Sequence, residues 1–225
     1  MSHQTERDEP LQAGTVTRIE TQNDPDRVSV FIDGAFAFEL PREVAREYDV
    51  AEGRTLSVEE QQRLIAEEAA RRARSKALQY LTGKPRTAEE VRRNLRKNDH
   101  SETAIEDALA WLREHDYVDD AAYAQRYAQQ RFDSKGYGPR RIRHELKKRG
   151  VDKRHTDRAL DEAIERDEAL EHARSHARKR LSRLERDEPD PWKRRKKLSD
   201  YLLRRGFTHG MIREVVREVA EREEW

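Results

Sequence analysis

A mainly α-helical fold is predicted: three tandem three-helix repeats in an elongated array, preceded by a small N-terminal β-hairpin or three-strand module. Three observations predict it. One apolar helical register is written three times between residues 91 and 219. Two capping boxes, Ser57-Val58-Glu59-Glu60 and Thr87-Ala88-Glu89-Glu90, mark helix starts. Finally, Asp33-Gly34 sits between two apolar runs near the N-terminus.

The β-module is read from alternation. Thr15-Val16-Thr17-Arg18-Ile19 and Val28-Ser29-Val30-Phe31-Ile32 alternate in polarity as half-buried strands do, and Ala35 to Leu40 follows the Asp-Gly pair. Asp-Gly between strands favours a two-residue hairpin turn, because both turn positions require positive φ. Three strands bury little alone, so the module is expected to pack on the next helix. That helix opens at the Ser57 box, where Ser and Glu satisfy each other's backbone amides. Gly83-Lys84-Pro85 ends it near Leu81.

From Thr87 the chain repeats itself. Val91/Leu95, Ile142/Leu146 and Leu198/Leu202 are apolar pairs at i and i+4, each followed by a basic end and then Asp99, Gly150 or Gly206. Glycine suits the left-handed residue after a helix, and cations there complement the helix dipole. Counting from Asp99, Gly150 and Gly206, positions +9, +10 and +13 are Ala108/Leu109/Leu112, Ala159/Leu160/Ala163 and Val215/Val216/Val219. Position +6 is Ile105, Thr156 and Ile212, the middle copy being the weaker. The unit is three helices at a spacing of about 50–56 residues. The expected organisation is a disordered tail (1–12), the β-module (13–57) and repeats 1 (58–120), 2 (121–165) and 3 (166–225). Asp119 or Asp120 is expected to cap the helix that opens repeat 2.

Charged residues make up 41% of the chain and apolar ones 34%. Thin helical modules fit that balance better than one large core. The absence of cysteine excludes disulfides, thiol catalysis and cysteine-bound zinc. No run of 18 apolar residues occurs, and the polar N-terminus lacks a signal peptide's apolar stretch, so no membrane span and a cytoplasmic location are expected. Charge is uneven. Residues 1–57 hold 6 Lys/Arg against 12 Asp/Glu, residues 58–120 hold 12 against 14, and residues 121–225 hold 29 against 20. A basic half implies nucleic acid, a nucleoprotein or an acidic protein surface as partner.

Catalysis has little support: no Gly-rich phosphate loop, nucleophile elbow or HExxH occurs. His172 and His176, at i and i+4, lack an obvious third ligand, so no metal site is expected. No cofactor is expected either. The candidate binding residues are two basic clusters. Arg140, Arg141, Arg143, Lys147, Lys148 and Arg149 follow Gly136-Tyr137-Gly138-Pro139, where exposed amides at a helix start, with Arg140 and Arg141, would suit phosphate or carboxylate. Lys193, Arg194, Arg195, Lys196 and Lys197 lie between Trp192 and Tyr201, rings that could stack on bases or belong to the core.

These residues resemble the RecX family of regulators. Gly14 to Ile19, Val30 to Gly34, Ala77 to Leu81, Glu89 to Leu95, Leu112 through Tyr117-Val118-Asp119-Asp120-Ala121-Ala122-Tyr123-Ala124, Gly138 to Ile142, Glu145-Leu146 and Arg149-Gly150-Val151 carry the resemblance, over roughly residues 13–222. It implies a regulatory protein of DNA repair, homologous recombination and the SOS response. Such a protein is expected to bind the RecA–single-stranded-DNA filament along its groove and to limit RecA's filament growth, strand exchange, ATPase and co-protease activities. A monomer is expected, with direct DNA binding as a further possibility. The sequence departs from the family pattern at Lys84-Pro85-Arg86-Thr87, where many relatives have Arg-Pro-Arg-Ser, and at Asn98-Asp99, where glycine is common. The alternatives are a sequence-nonspecific DNA-binding protein of helix-turn-helix-like units acting without RecA, and a protein scaffold. Acidic residues on each third helix (Glu106, Asp107, Glu114; Asp157, Asp161, Glu162; Glu214, Glu218) argue against insertion into a DNA groove.

Overall fold

The computed structural model describes residues 11–221, and most of the expected N-terminal tail lies outside them. Two compact units are present: Met1–Tyr80 with Asn94–Glu114, and Leu81–Arg93 with His115–Trp225.

The first unit begins with a four-stranded antiparallel sheet, one strand more than alternation predicts. β1 (Gly14–Thr21), β2 (Arg27–Ile32), β3 (Ala35–Pro41) and β4 (Thr55–Leu56) lie in the order β3-β2-β1-β4. β4 is too short to show alternation; it pairs Leu56 with Gly14. Asp33 and Gly34 have φ of 48° and 85°, as the hairpin requires. A short helix absent from the sequence reading, α1 (Arg42–Glu47), follows Pro41 and adds Val44 and Ala45 to the sheet's buried face. Val16, Val28, Val30, Phe38 and Leu40 form that face, and Leu64 of α2 (Val58–Leu81) packs on it. Each large apolar side chain removed from water contributes roughly 1.5–3 kcal/mol, so the sheet gains from the helix what three strands alone lack. The expected capping box is formed: Ser57 N donates to Glu60 Oε2 at 2.8 Å and Glu60 N to Ser57 Oγ at 3.2 Å. One carboxylate of α2, Glu68, is buried and held by Arg27 at 2.6 Å.

Repeat 1 continues through α3 (Ala88–Lys97) and α4 (Glu102–Glu114), where Ile105, Ala108, Leu109 and Leu112 are fully buried. The second unit holds α5 (Asp120–Lys135), α6 (Pro139–Lys148) and α7 (Lys153–Ala163), then α8 (Arg166–Asp187), α9 (Pro191–Arg205) and α10 (His209–Glu221). Asp119 caps α5 through the amides of Ala121 and Ala122, both at 2.9 Å. Asp120 instead accepts from Ala88 N at 2.9 Å, where α3 begins. Tyr127, Phe132, Ile142, Leu146 and Leu160 centre one core of this unit. Leu181, Leu202, Phe207 and Val215 centre the next. The repeated register is therefore the buried face of each three-helix module.

The weak middle copy is a real defect. Thr156 is buried, and its hydroxyl has no hydrogen-bond partner among the described residues. An unpaired buried hydroxyl costs roughly 1–3 kcal/mol. Thr156→Val keeps the shape and removes that penalty, so it should stabilise the protein by about 1 kcal/mol. Thermal or urea unfolding checks this; a lower midpoint would contradict it.

Candidate nucleic-acid interface

The start of α6 is closed by the end of α9. Gly138 N donates to the Arg205 carbonyl at 2.9 Å, and Arg140 N donates to the Gly206 carbonyl at 3.0 Å. Pro139, the first residue of α6, has no amide to satisfy. Arg141 N turns back to the Gly138 carbonyl at 3.1 Å. Donors left over at one helix start thus meet acceptors left over at another helix end, with opposite dipole ends together. This overturns the expectation that these amides lie open to a phosphate. The approach is close: a Cβ on Gly138 would stand 2.4 Å from the Gly206 carbonyl carbon, and one on Gly206 2.4 Å from Arg141 N.

The same junction recurs one repeat earlier. At the end of α6, the Arg149 carbonyl accepts from Thr87 Oγ1 at 2.6 Å, just before α3. A Cβ on Gly150 would meet Glu89 Cβ at 2.2 Å. Arg149 also pairs with Glu90 at 2.5 Å. Thr87 and Glu90 make the capping box at the same place, through Thr87 N to Glu90 Oε2 at 3.2 Å and Glu90 N to Thr87 Oγ1 at 3.1 Å. The second helices of the repeats thus follow one another end to start, α9 onto α6 and α6 onto α3. Asp99 occupies the matching position after α3 with φ of 60°, and no earlier second helix exists among the described residues for it to close upon. That explains why glycine is dispensable there.

The junctions sort the first basic cluster. Arg149 belongs to the α3–α6 contact. Arg141 pairs with Glu145 at 3.1 Å and lies 3.7 Å from the centre of the Tyr137 ring. Arg143 pairs with Asp157 at 3.1 Å. Arg140, Lys147 and Lys148 remain exposed and make no ion pair among the described residues. With exposed Arg143 and His144, they outline the flank of α6 opposite Ile142 and Leu146.

The second cluster sorts likewise. Asp190 caps α9 through Trp192 N at 2.9 Å and Lys193 N at 3.3 Å. Arg194 donates to the Glu188 and Pro189 carbonyls, both at 3.1 Å, and Lys197 pairs with Glu188 at 2.6 Å. Lys193, Arg195 and Lys196 are exposed on the helix flank, Lys193 within 3.9 Å of Asp190 Oδ2. Trp192 is 68% exposed rather than core, and Lys196 Nζ lies 5.6 Å from its ring centre. Tyr201 is half-buried, with Arg205 Nε donating to its hydroxyl at 3.1 Å.

His172 and His176 serve packing. His172 stacks on Phe132 at 4.5 Å between ring centres. His176 Nε2 donates to the Gly136 carbonyl at 3.1 Å, since a carbonyl can only accept. Burial, and then the Arg205 charge, hold the His176 imidazole below its usual range. Glu145 is the hub that sequence reasoning missed. It accepts from Tyr127 Oη at 2.8 Å and Arg141 Nε at 3.1 Å, with Arg131 Nε at 3.6 Å. Burial pushes its carboxyl up, but these hydrogen bonds and charges outweigh burial and hold it below the ordinary value.

Three stretches match RecX family models: residues 73–112 the first three-helix domain, 119–160 the second and 167–216 the third. The regulatory protein RecX of Clostridium acetobutylicum is 31% identical over 93% of this chain and 98% of its own length. That of Halalkalibacterium halodurans is 29% identical over 93% and 81%. A crystal structure of regulatory protein RecX aligns with a TM-score of 0.70 and 26% identity, covering 90% of this chain and 98% of that one. RecX from Lactobacillus salivarius aligns at 0.61 and 27%, covering 67% and 96%.

Gly206→Ala should destabilise the second unit by more than about 1 kcal/mol, because φ is +92° and the new Cβ meets backbone. Denaturant unfolding reads this, and an unchanged midpoint would remove the junction's importance. Glu145 supplies a pH test. Its folded pKa is depressed, so its contribution is present above about pH 4.5, its ordinary value, and is lost as pH falls through the lower folded value. The stability gap between the parent and Glu145→Gln should therefore narrow on acidification from about pH 6 to about pH 3. A constant or widening gap would contradict the assignment.

Proposed function

As the chain belongs to the RecX family of regulatory proteins, we propose that it binds the RecA–single-stranded-DNA filament and restrains RecA's recombinase, ATPase and co-protease activities. The observation that carries this reading is the set of cations exposed on the outer flanks of the second unit. Arg140, Lys147 and Lys148 stand on α6, and Lys193, Arg195 and Lys196 on α9. Residues 121–225 hold more Lys/Arg than Asp/Glu, so cations outnumber the carboxylates that could neutralise them. A phosphate backbone is the natural complement, and each phosphate engaged releases counterions.

The candidate residues narrow accordingly. Arg141, Arg149, Arg194 and Lys197 stabilise the modules, and Arg143 is shared with Asp157. The acidic third helices support contact with a filament over insertion into a duplex groove. Asp157 is occupied by Arg143 and Lys153, and Glu218 by Arg174. Exposed Trp192 beside Lys196 favours a second reading, direct DNA binding without RecA, because rings beside cations stack on unpaired bases.

Titrating the protein into RecA filaments on single-stranded DNA while following ATP hydrolysis separates the two. Dose-dependent inhibition supports the proposal, whereas binding to bare DNA with no effect on RecA favours the second reading. Replacing Arg140, Lys147 and Lys148 together by Gln should weaken filament binding at least tenfold. The log–log salt slope should also flatten by about 0.7 for each phosphate no longer neutralised. Unchanged affinity and slope would show that α6 does not face the filament.

A further inference from the structure

The first unit contains a charged cavity of about 500 Å³ that the regulatory reading does not use. Arg72, Ser75, Lys76 and Gln79 line it from α2, and Asn98 and His100 from the turn after α3. Residues at i, i+3, i+4 and i+7 share one helix face, so the four α2 side chains point the same way. Of the wall's carboxylates, Glu43 pairs with Arg71 at 2.7 Å and Glu68 with Arg27 at 2.6 Å through Oε1, while Glu68 Oε2 is buried without a hydrogen-bond partner among the described residues and burial pushes that carboxyl up. Arg71 is further held by Glu47 and Glu67, both at 2.8 Å. Arg72 and Lys76 make no ion pair among the described residues, though they stand in the acidic half of the chain. Like charges four residues apart on a helix repel, and the charge of Glu68 offsets this for Arg72 only at a distance, without a direct ion pair.

We infer that this cavity is a binding site for a phosphate-bearing anion, held by Arg72, Lys76 and His100 with Ser75 and Gln79 as neutral donors. A guanidinium fork, an ammonium, a hydroxyl, an amide and an imidazole N–H offer more donors than the two oxygens of a carboxylate can accept. A free phosphate or phosphomonoester, with three or four terminal oxygens, matches them, as do successive phosphodiesters of a strand, which offer two oxygens each. His100 registers the positive field of the two cations. Burial, then the charges of Arg72 and Lys76, hold its imidazole below the usual range, and neighbouring Asp99 only partly opposes them. An anion in the cavity would reverse the sign of that field. Such a site needs no RecA and gives the first unit a ligand of its own.

The test is an NMR titration of the full chain, following the His100 ring proton at constant ionic strength. Inorganic phosphate is the first probe, a short single-stranded oligonucleotide without terminal phosphate the second, and chloride the control. A saturable His100 shift, with its titration midpoint moved upward, is expected with phosphate. If the oligonucleotide saturates the site at lower concentration, the natural source is a nucleic-acid backbone; if phosphate alone does, it is a free phosphate or phosphomonoester. The double variant Arg72→Gln/Lys76→Gln should weaken binding at least tenfold, with the other histidine signals unmoved as proof of folding. Two results would overturn the inference: no saturable shift beyond the chloride control with either probe, or an undiminished shift in the folded double variant.

Discussion

The closure of one second helix upon the start of another holds the second unit in register. Each helix end carries backbone groups that its own ladder cannot satisfy. Here the carbonyls of Arg205 and Gly206 receive the amides of Gly138 and Arg140, and the Arg149 carbonyl receives Thr87 Oγ1. Negative and positive dipole ends are brought together at both places. Because both junctions involve backbone at close range, they fix the spacing of successive helices more tightly than apolar side chains alone could. Gly150 and Gly206 are required by that approach as much as by their positive φ.

This closure determines what remains for a partner. A module with so many charges neutralises some of them internally. Glu145 holds Tyr127 and Arg141, and Glu90 holds Arg149. Exposed ion pairs stabilise little on their own, but here several half-buried groups share partners, with the Tyr127 ring 4.8 Å from Arg131 and 5.0 Å from Arg149. Arg140, Lys147 and Lys148, on the outer flank of α6, stand apart from that network. The division between residues that build the module and residues that face outward follows from the flank of α6 each occupies: Arg141, Glu145 and Arg149 stand at i, i+4 and i+8 on one, Arg140, Lys147 and Lys148 on another.

Much of this was legible in the sequence, because the signals were local. The Ser57 and Thr87 boxes, the Asp33-Gly34 turn and the thrice-written apolar face each act within a few residues and appear as read. Trp192 was ambiguous, since a ring beside cations suits either core or surface, and only packing decides. The amides at the α6 start were misread, because the groups that occupy them, Arg205 and Gly206, lie about one repeat away in the chain. The repeat register held a clue: glycine closes the second and third copies, whereas Asp99 closes the first. Short α1 and β4 were missed because neither is long enough to show a period. The cavity at Arg72 and Lys76 was invisible because His100 joins it from beyond a turn.

Hydrogen exchange reads directly whether the α6 amides are structural. If α9 closes upon α6, the amides of Gly138 and Arg140 should be protected to the same degree as the core amides of α6 and α9, exchanging only when the module unfolds. Fast exchange at these two amides, typical of an open helix start, would contradict the closure and return them to solvent as free anion donors.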